Sequence, residues 1–283
     1  MTEIEIRNAH PAVGAEVLGL DPSRPIDAET RALLRRAFDD RGVLLVRGID
    51  VDLAFQDAFT RMLIGDDRSC DEAGTLGKKP YYVSNVEEGG GAPFGRLPFH
   101  CDFMWSSEAF QALSLYGTQV EPGGATTSFT SATDAWRTLP AALRARVEHL
   151  HGRHVNGLPL RNRSDDVLRA VFEHEESTVF PIARPHPRTG QPILYVSEMN
   201  TSGIVELEPE ASEALLQELF AHLYAPERVY EHTWREGDLV VFDNLATQHA
   251  RGDVIADGPA RTLRKVFAPV TAVLTRRPEY AAR

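Results

Sequence analysis

Apolar positions along the chain follow two periods, and the helical one is the rarer. Asp27 can cap a segment in which Leu33, Leu34, Ala37 and Phe38 fall on one stripe, and Gly42 supplies the stop. Two further helical patterns run over Asp134–His149, interrupted near Pro140, and over Glu210–Leu223. In the second, Leu215, Leu216, Leu219, Phe220 and Leu223 turn inward. The unbroken apolar run Val43-Leu44-Leu45-Val46, closed by Gly48, predicts a short buried strand. Further strands are expected at Tyr81–Val86, Ala112–Val120, Thr126–Thr130, Ile193–Ser197, Leu239–Phe242 and Thr262–Val270. Short strands separated by irregular loops, with helices mostly outside them, predict a mainly β fold with flanking helices around a jelly-roll or barrel core. A doubly wound α/β fold is disfavoured, because strands and helices do not alternate and no glycine-rich phosphate loop follows a strand. No repeat or linker divides the chain, so one domain is expected over residues 1–283. The stretches 65–79 and 87–95 are candidate lid loops.

Composition narrows the partners. The chain is 42% hydrophobic and 25% charged, the balance of an ordinary globular protein. A net charge of −11 argues against nucleic acid, since no basic stretch is dense enough to neutralise a row of phosphates. No apolar run approaches membrane-spanning length, and the acidic start Met1-Thr2-Glu3-Ile4-Glu5 lacks the apolar core of a secretory signal. Cys70 and Cys101 make no disulfide framework, so a cytoplasmic location is expected. A small-molecule substrate is the expected partner, and the sequence leaves open whether the chain forms a homo-oligomer.

The chemistry-bearing residues begin at His100-Cys101-Asp102. On extended backbone, residues two apart point to the same side, so His100 and Asp102 can reach one metal while Cys101 faces away as a packed thiol. Among ten histidines, His249 has the context of a third ligand. It follows a turn at Glu236-Gly237-Asp238, a buried strand and a polar bend. Two histidines and a carboxylate leave three positions of an iron ion open, enough for a bidentate 2-oxo acid and oxygen. Downstream, Arg261, Leu263, Lys265 and Phe267 share one face of the expected strand and Arg264 takes the other. The arginine fork suits a carboxylate, and Thr126, after Pro122-Gly123-Gly124-Ala125, offers a hydroxyl beside it.

With these residues in place the chain resembles the taurine/2,4-D dioxygenase (TauD/TfdA) family over nearly its whole length. The resemblance rests on Ala15–Asp21, Gly42–Gly48, His100-Cys101-Asp102, Pro122–Thr127, Ser131–Pro140, His186–Gly190, Trp234–Asp238 and Asp243-Asn244 through His249. It implies a double-stranded β-helix, a cupin-like jelly roll. It implies Fe(II) held by His100, Asp102 and His249, and 2-oxoglutarate held by Thr126 and Arg261, with O₂ as second co-substrate. The implied reaction hydroxylates a substrate while 2-oxoglutarate becomes succinate and CO₂. Asp102 matches the hydroxylases of the family and not the halogenating relatives, where a small residue stands.

Departures from the family pattern bear on substrate. Arg96 stands where the taurine enzymes place asparagine, Asn200 where they place an aromatic residue, and Lys265 where they place arginine. These point away from taurine itself. Tyr82, Asn85, Asn200 and Lys265 are the candidate substrate contacts, and together they suggest a small anionic or zwitterionic metabolite. One extra residue between His249 and Arg261 keeps Arg264 in view as an alternative anchor. Two other readings use the same residues: a non-catalytic jelly roll that binds a metal or ligand, and a zinc hydrolase, since zinc accepts these three ligands.

Overall fold

The structure is a computed structural model that describes residues 4–66, 80–107, 110–156 and 177–269. A seven-stranded sheet orders β1 (Glu5–Asn8), β2 (Ala15–Leu18), β3 (Val43–Val46), β14 (Leu239–Asp243), β6 (Ala112–Val120), β16 (Arg261–Ala268) and β4 (Tyr81–Ser84). Facing it is a four-stranded sheet of β13 (Tyr230–His232), β7 (Thr127–Ser131), β15 (Thr247–Val254) and β5 (Gly95–His100). Smaller sheets add β8 (His151–Val155), β9 (Ser177–Pro181) and β12 (Thr201–Ile204), and the pair β10 (Ala183–Pro185) with β11 (Pro192–Leu194). The expected mainly β jelly-roll core with flanking helices is the architecture found.

The unbroken apolar runs have a direct cause: the large sheet is buried on both faces. One face, with Leu45, Leu113, Leu115, Val240, Phe242 and Phe267, meets Phe129 and Trp234 from the side of the small sheet. The other face, with Leu44, Val46, Tyr116, Leu239 and Val241, lies under α1 (Ala28–Arg41) and α2 (Leu53–Leu63). Each fully buried valine or leucine here contributes roughly 1.5–3 kcal/mol of transfer free energy. Helix α1 begins and ends as its sequence predicts. Asp27 accepts from the Thr30 N–H at 2.8 Å, and Gly42 sits at φ 70° and closes the helix onto the Phe38 carbonyl. A side chain at Gly42 would also collide with Thr247, where a Cβ would lie 2.5 Å from Cγ2.

Several expected boundaries move. The pattern over Asp134–His149 resolves into α3 (Ala132–Thr138) and α4 (Ala141–Val147), with Pro140 capping the second. Helix α5 (Pro209–Leu223) matches expectation and packs Leu215, Leu216, Leu219 and Leu223 against Trp136 and Leu139. Strand β7 starts at Thr127, one residue later than expected, and β11 stops at Leu194, short of Ser197. Helix α2 was not among the expected elements; Asp52 caps it, Phe55, Phe59, Met62 and Leu63 form its apolar stripe, and Gln56, Asp57, Thr60 and Arg61 are buried beside them. Of the expected lid loops, residues 67–79 lie outside the described residues, as does Cys70, while 87–95 lie within them. In the latter loop Arg251 holds the carbonyls of Ala92, Phe94 and Gly95.

Candidate functional site

Strand pairing brings the two histidines together. In the antiparallel register of β15 with β5, His249 lies directly opposite His100, and cross-strand partners share a face. Their ring centres are 4.1 Å apart. The ligand atoms of His100, Asp102 and His249 all lie within 4.8 Å of one another, and no other such group of His, Cys, Asp or Glu occurs among the described residues. Oδ1 of Asp102 faces both imidazoles, 3.4 Å from His100 Nε2 and 3.9 Å from His249 Nε2. The Nδ1–H of His100 donates to the Pro98 carbonyl at 2.8 Å, which leaves the Nε2 lone pair directed at the cluster.

Protonation at the cluster also suits a metal. Burial alone pushes the Asp102 carboxyl up, but Lys265, His100 and His249 outweigh it and hold it well below the usual carboxylate range. Burial, the neighbouring His100 and the Lys265 charge hold His249 well below the ordinary histidine value, against an opposing pull from Asp102. A charged carboxylate and a neutral imidazole are the forms that bind a cation. Two nitrogen donors and one carboxylate oxygen within 4.8 Å of one another therefore fit Fe(II). Cys101, between His100 and Asp102, is 1% exposed and packs with Met104, Ile193, Tyr195 and Leu245, away from the cluster. Burial drives its thiol pKa up, so it is an inert packed group.

Strand β16 carries the cationic side chains. Its alternation puts Leu263 and Phe267 into the core between the sheets, with Arg261 and Lys265 on the same face. Arg264 points the other way, under α2, where its guanidinium donates to Gln56 Oε1 at 2.7 Å and to the Val51 carbonyl at 2.6 Å. Arg261 is 3% exposed and donates only to neutral atoms, the Ala125 carbonyl and Thr127 Oγ1, each at 3.1 Å. Arg251 is 5% exposed, and its Nε has no hydrogen-bond partner among the described residues. Among the described residues neither arginine has a carboxylate at ion-pair distance. Burial and the nearby Arg251 bring Arg261 down to about 9, still charged at neutral pH. Two buried cations without an anion are costly, and a bound carboxylate would relieve that cost.

The remaining sequence candidates fall in different places. Thr127, not Thr126, hydrogen-bonds Arg261, and its Oγ1 also accepts from Trp234 Nε1 at 2.9 Å. Thr126 sits beside Gly252, and no hydrogen bond of its hydroxyl occurs among the described residues. Lys265, expected on the substrate side, places its ammonium on Oδ2 of Asp102, the oxygen turned away from the imidazoles. Tyr82 is not brought to the cluster. It pairs with Arg264 and shares that outer face, whereas Tyr81 packs inward against Phe267 with ring centres 6.3 Å apart. Asn85 is occupied at the start of β16, accepting from the Arg261 N–H at 2.8 Å and donating to the Pro259 carbonyl at 3.0 Å. Asn200 is 4% exposed and builds the turn after β11, where its N–H donates to Ser197 Oγ at 3.0 Å. Arg251, Thr127 and Asn244 were not sequence candidates, although Asn244 lies within the motif that leads to His249.

The model of the family described as taurine catabolism dioxygenase TauD, TfdA family, matches residues 5–267. The chain is 30% identical to pentalenolactone F synthase of Streptomyces avermitilis over 289 residues, covering 90% of each chain. It is 26% identical to the alpha-ketoglutarate-dependent 2,4-dichlorophenoxyacetate dioxygenase of Cupriavidus pinatubonensis, covering 94% of this chain and 97% of that one. Among solved structures, a taurine dioxygenase from Burkholderia xenovorans superposes with a TM-score of 0.73 at 26% identity, over 93% of this chain and 90% of that one. The chain belongs to the TauD/TfdA family of 2-oxoglutarate-dependent dioxygenases.

Proposed function

We propose that this enzyme uses Fe(II), 2-oxoglutarate and O₂ to hydroxylate a small anionic or zwitterionic metabolite, with release of succinate and CO₂. The observation that carries the reading is the convergence of His100 Nε2, His249 Nε2 and Asp102 Oδ1 on one point between the two sheets. His100, Asp102 and His249 would hold the iron, and Arg261 would hold the distal carboxylate of 2-oxoglutarate, assisted by the free hydroxyl of Thr126. When bound, iron and 2-oxoglutarate supply the activation of oxygen.

The chain's own residues do the rest. Trp234 and Thr127 hold the Arg261 fork in place, and the aromatic wall of Phe103, Phe110 and Phe267 keeps the interior dry. Lys265 fixes Oδ2 of Asp102 and thereby presents Oδ1 to the metal. An ammonium has three donors, so Lys265 retains two for an anionic group of the substrate. The substrate class also draws on the relatives: 2,4-dichlorophenoxyacetate and (S)-phenoxypropionate, named for two of them, are carboxylates.

Two measurements bear on this reading. The first follows 2-oxoglutarate consumption under air with added iron across small carboxylates, sulfonates, zwitterions and neutral hydrocarbons. Carboxylates or zwitterions are expected to stimulate it most. A neutral hydrocarbon as best substrate would remove the proposed substrate class, and consumption that does not depend on iron would remove the proposed metal. The second is Lys265→Met, which loses a charged hydrogen bond to the substrate. It is expected to raise KM for the substrate roughly tenfold or more, and the KM for 2-oxoglutarate by less, since Lys265 acts on that site only through Asp102. Equal substrate KM for the two proteins would confine Lys265 to Asp102.

A further inference from the structure

Asp102 is the one member of the candidate triad that no strand holds. Strand β5 ends at His100, and Phe103, directly after Asp102, sits at φ 57°, in a region that non-glycine residues seldom occupy. The main chain of Asp102 is instead bonded at both of its polar groups by one side chain. Its N–H donates to Asn244 Oδ1 at 2.8 Å, and Asn244 Nδ2 donates back to its carbonyl at 2.9 Å. The amide thus takes the place of a neighbouring strand.

Asn244 is 1% exposed and belongs to the short loop between β14 and β15 that delivers His249. That loop is itself fixed. The Asn244 N–H donates to the Gln111 carbonyl at 3.0 Å, and Asp243 Oδ1 accepts from the N–H groups of Leu245 and Ala246, each at 2.9 Å. Asp243 is in turn held by Arg188 and by His186 Nε2 at 3.1 Å. An amide on a fixed loop that grips the peptide units of a ligand residue transmits the loop's position to that ligand.

We infer that Asn244 is a positioning residue: its side-chain amide locks the backbone of Asp102 to the loop carrying His249 and so presets the metal site before any metal arrives. The inference rests on His100, Asp102 and His249 being the metal triad. Two substitutions probe it. Asn244→Ala leaves space in which a water can replace the lost bonds, whereas Asn244→Leu keeps the volume, admits no water and offers no bond. A residue that only supports the fold would lower stability without altering metal affinity.

The experiment measures Mn(II) binding to the metal-free full chain by electron paramagnetic resonance, with no 2-oxoglutarate or substrate, alongside thermal unfolding. Both variants are expected to bind Mn(II) roughly ten- to hundredfold more weakly, the leucine variant more so, as for residues that orient metal ligands. Leu216→Ala, in the core beneath α5, should lower stability and leave Mn(II) affinity within about twofold. Wild-type affinity in both Asn244 variants overturns the inference. Undiminished affinity in His100→Ala overturns the triad reading instead, so the two failures are distinct. Should neither Asn244 variant fold, hydrogen exchange in the metal-free wild type decides. The Asp102 amide is expected to exchange as slowly as amides of β14, and exchange at the rate of an exposed loop refutes the clamp.

Discussion

Replacing Asp102 or His249 with alanine is expected to abolish substrate oxidation, with turnover falling to the level of a no-enzyme control even when iron is supplied. As the proposed iron ligands the three residues would act as one unit, so loss of any one would leave too few ligands, and double replacements should be no worse than single ones. The effect on metal affinity should exceed the ten- to hundredfold typical of residues that only orient ligands. Stability should respond differently at the two positions. His249 is a neutral, buried ring whose Nδ1 finds no partner among the described residues, so its removal leaves an apolar cavity beside Phe129 and Phe242. Asp102→Ala strands the Lys265 ammonium, which is 12% exposed, and breaking such a buried pair costs about 3–5 kcal/mol. Asp102→Asn keeps the shape and the Asn244 clamp and should separate loss of metal from loss of fold. Succinate formation with thermal unfolding on each variant tests both halves. Near-normal turnover in Asp102→Ala or His249→Ala would remove these residues from the metal.

The triad candidates were legible because their chemistry survives without tertiary detail. A histidine and an acid two residues apart, and a histidine after a buried strand and bend, are local signals. Their support was not local. The same-side reading of His100 and Asp102 took extended backbone as its premise, yet β5 ends at His100, and what holds Asp102 beyond it is Asn244, 142 residues away along the chain. Parity errors have a similar origin. Tyr81 and Tyr82 are equivalent by composition, and only the pairing of β4 with β16 decides which faces inward, since a slip of one residue exchanges the faces. Helix α2 was not expected although Asp52 and the stripe Phe55, Phe59, Met62 and Leu63 mark it; what the pattern does not show is the buried polar row beside that stripe, where Gln56 bonds Ser114 and Arg264, and Thr60 bonds Ser114. In a sequence such positions read as solvent-facing.

That same buried polar contact supplies the control for the prediction about the co-substrate. Arg261→Ala is expected to weaken 2-oxoglutarate binding by about 1.5–3 kcal/mol, roughly ten- to hundredfold, because it removes a charge-assisted bond to a carboxylate in a site shielded from water. Arg261→Lys should recover little of this, since a point charge on a flexible stem cannot reproduce the two parallel bonds of the guanidinium fork. The position along β16 supports the assignment. Arg261 lies four residues, roughly 13 Å of strand, from Lys265, whose ammonium reaches Asp102. Arg264 is the natural comparison, being a buried arginine three residues along the same strand. Its partners are Gln56 and the Val51 carbonyl, so Arg264→Ala leaves two buried acceptors unmet and should cost about 1–3 kcal/mol of stability. The affinity for 2-oxoglutarate should stay within about twofold of wild type. Binding titrations on the manganese-loaded, substrate-free protein separate these outcomes without relying on turnover. A large loss of 2-oxoglutarate affinity in Arg264→Ala, with Arg261→Ala unaffected, would mean that the co-substrate binds on the α2 side of the sheet, and the assignment of the pocket would fall with it.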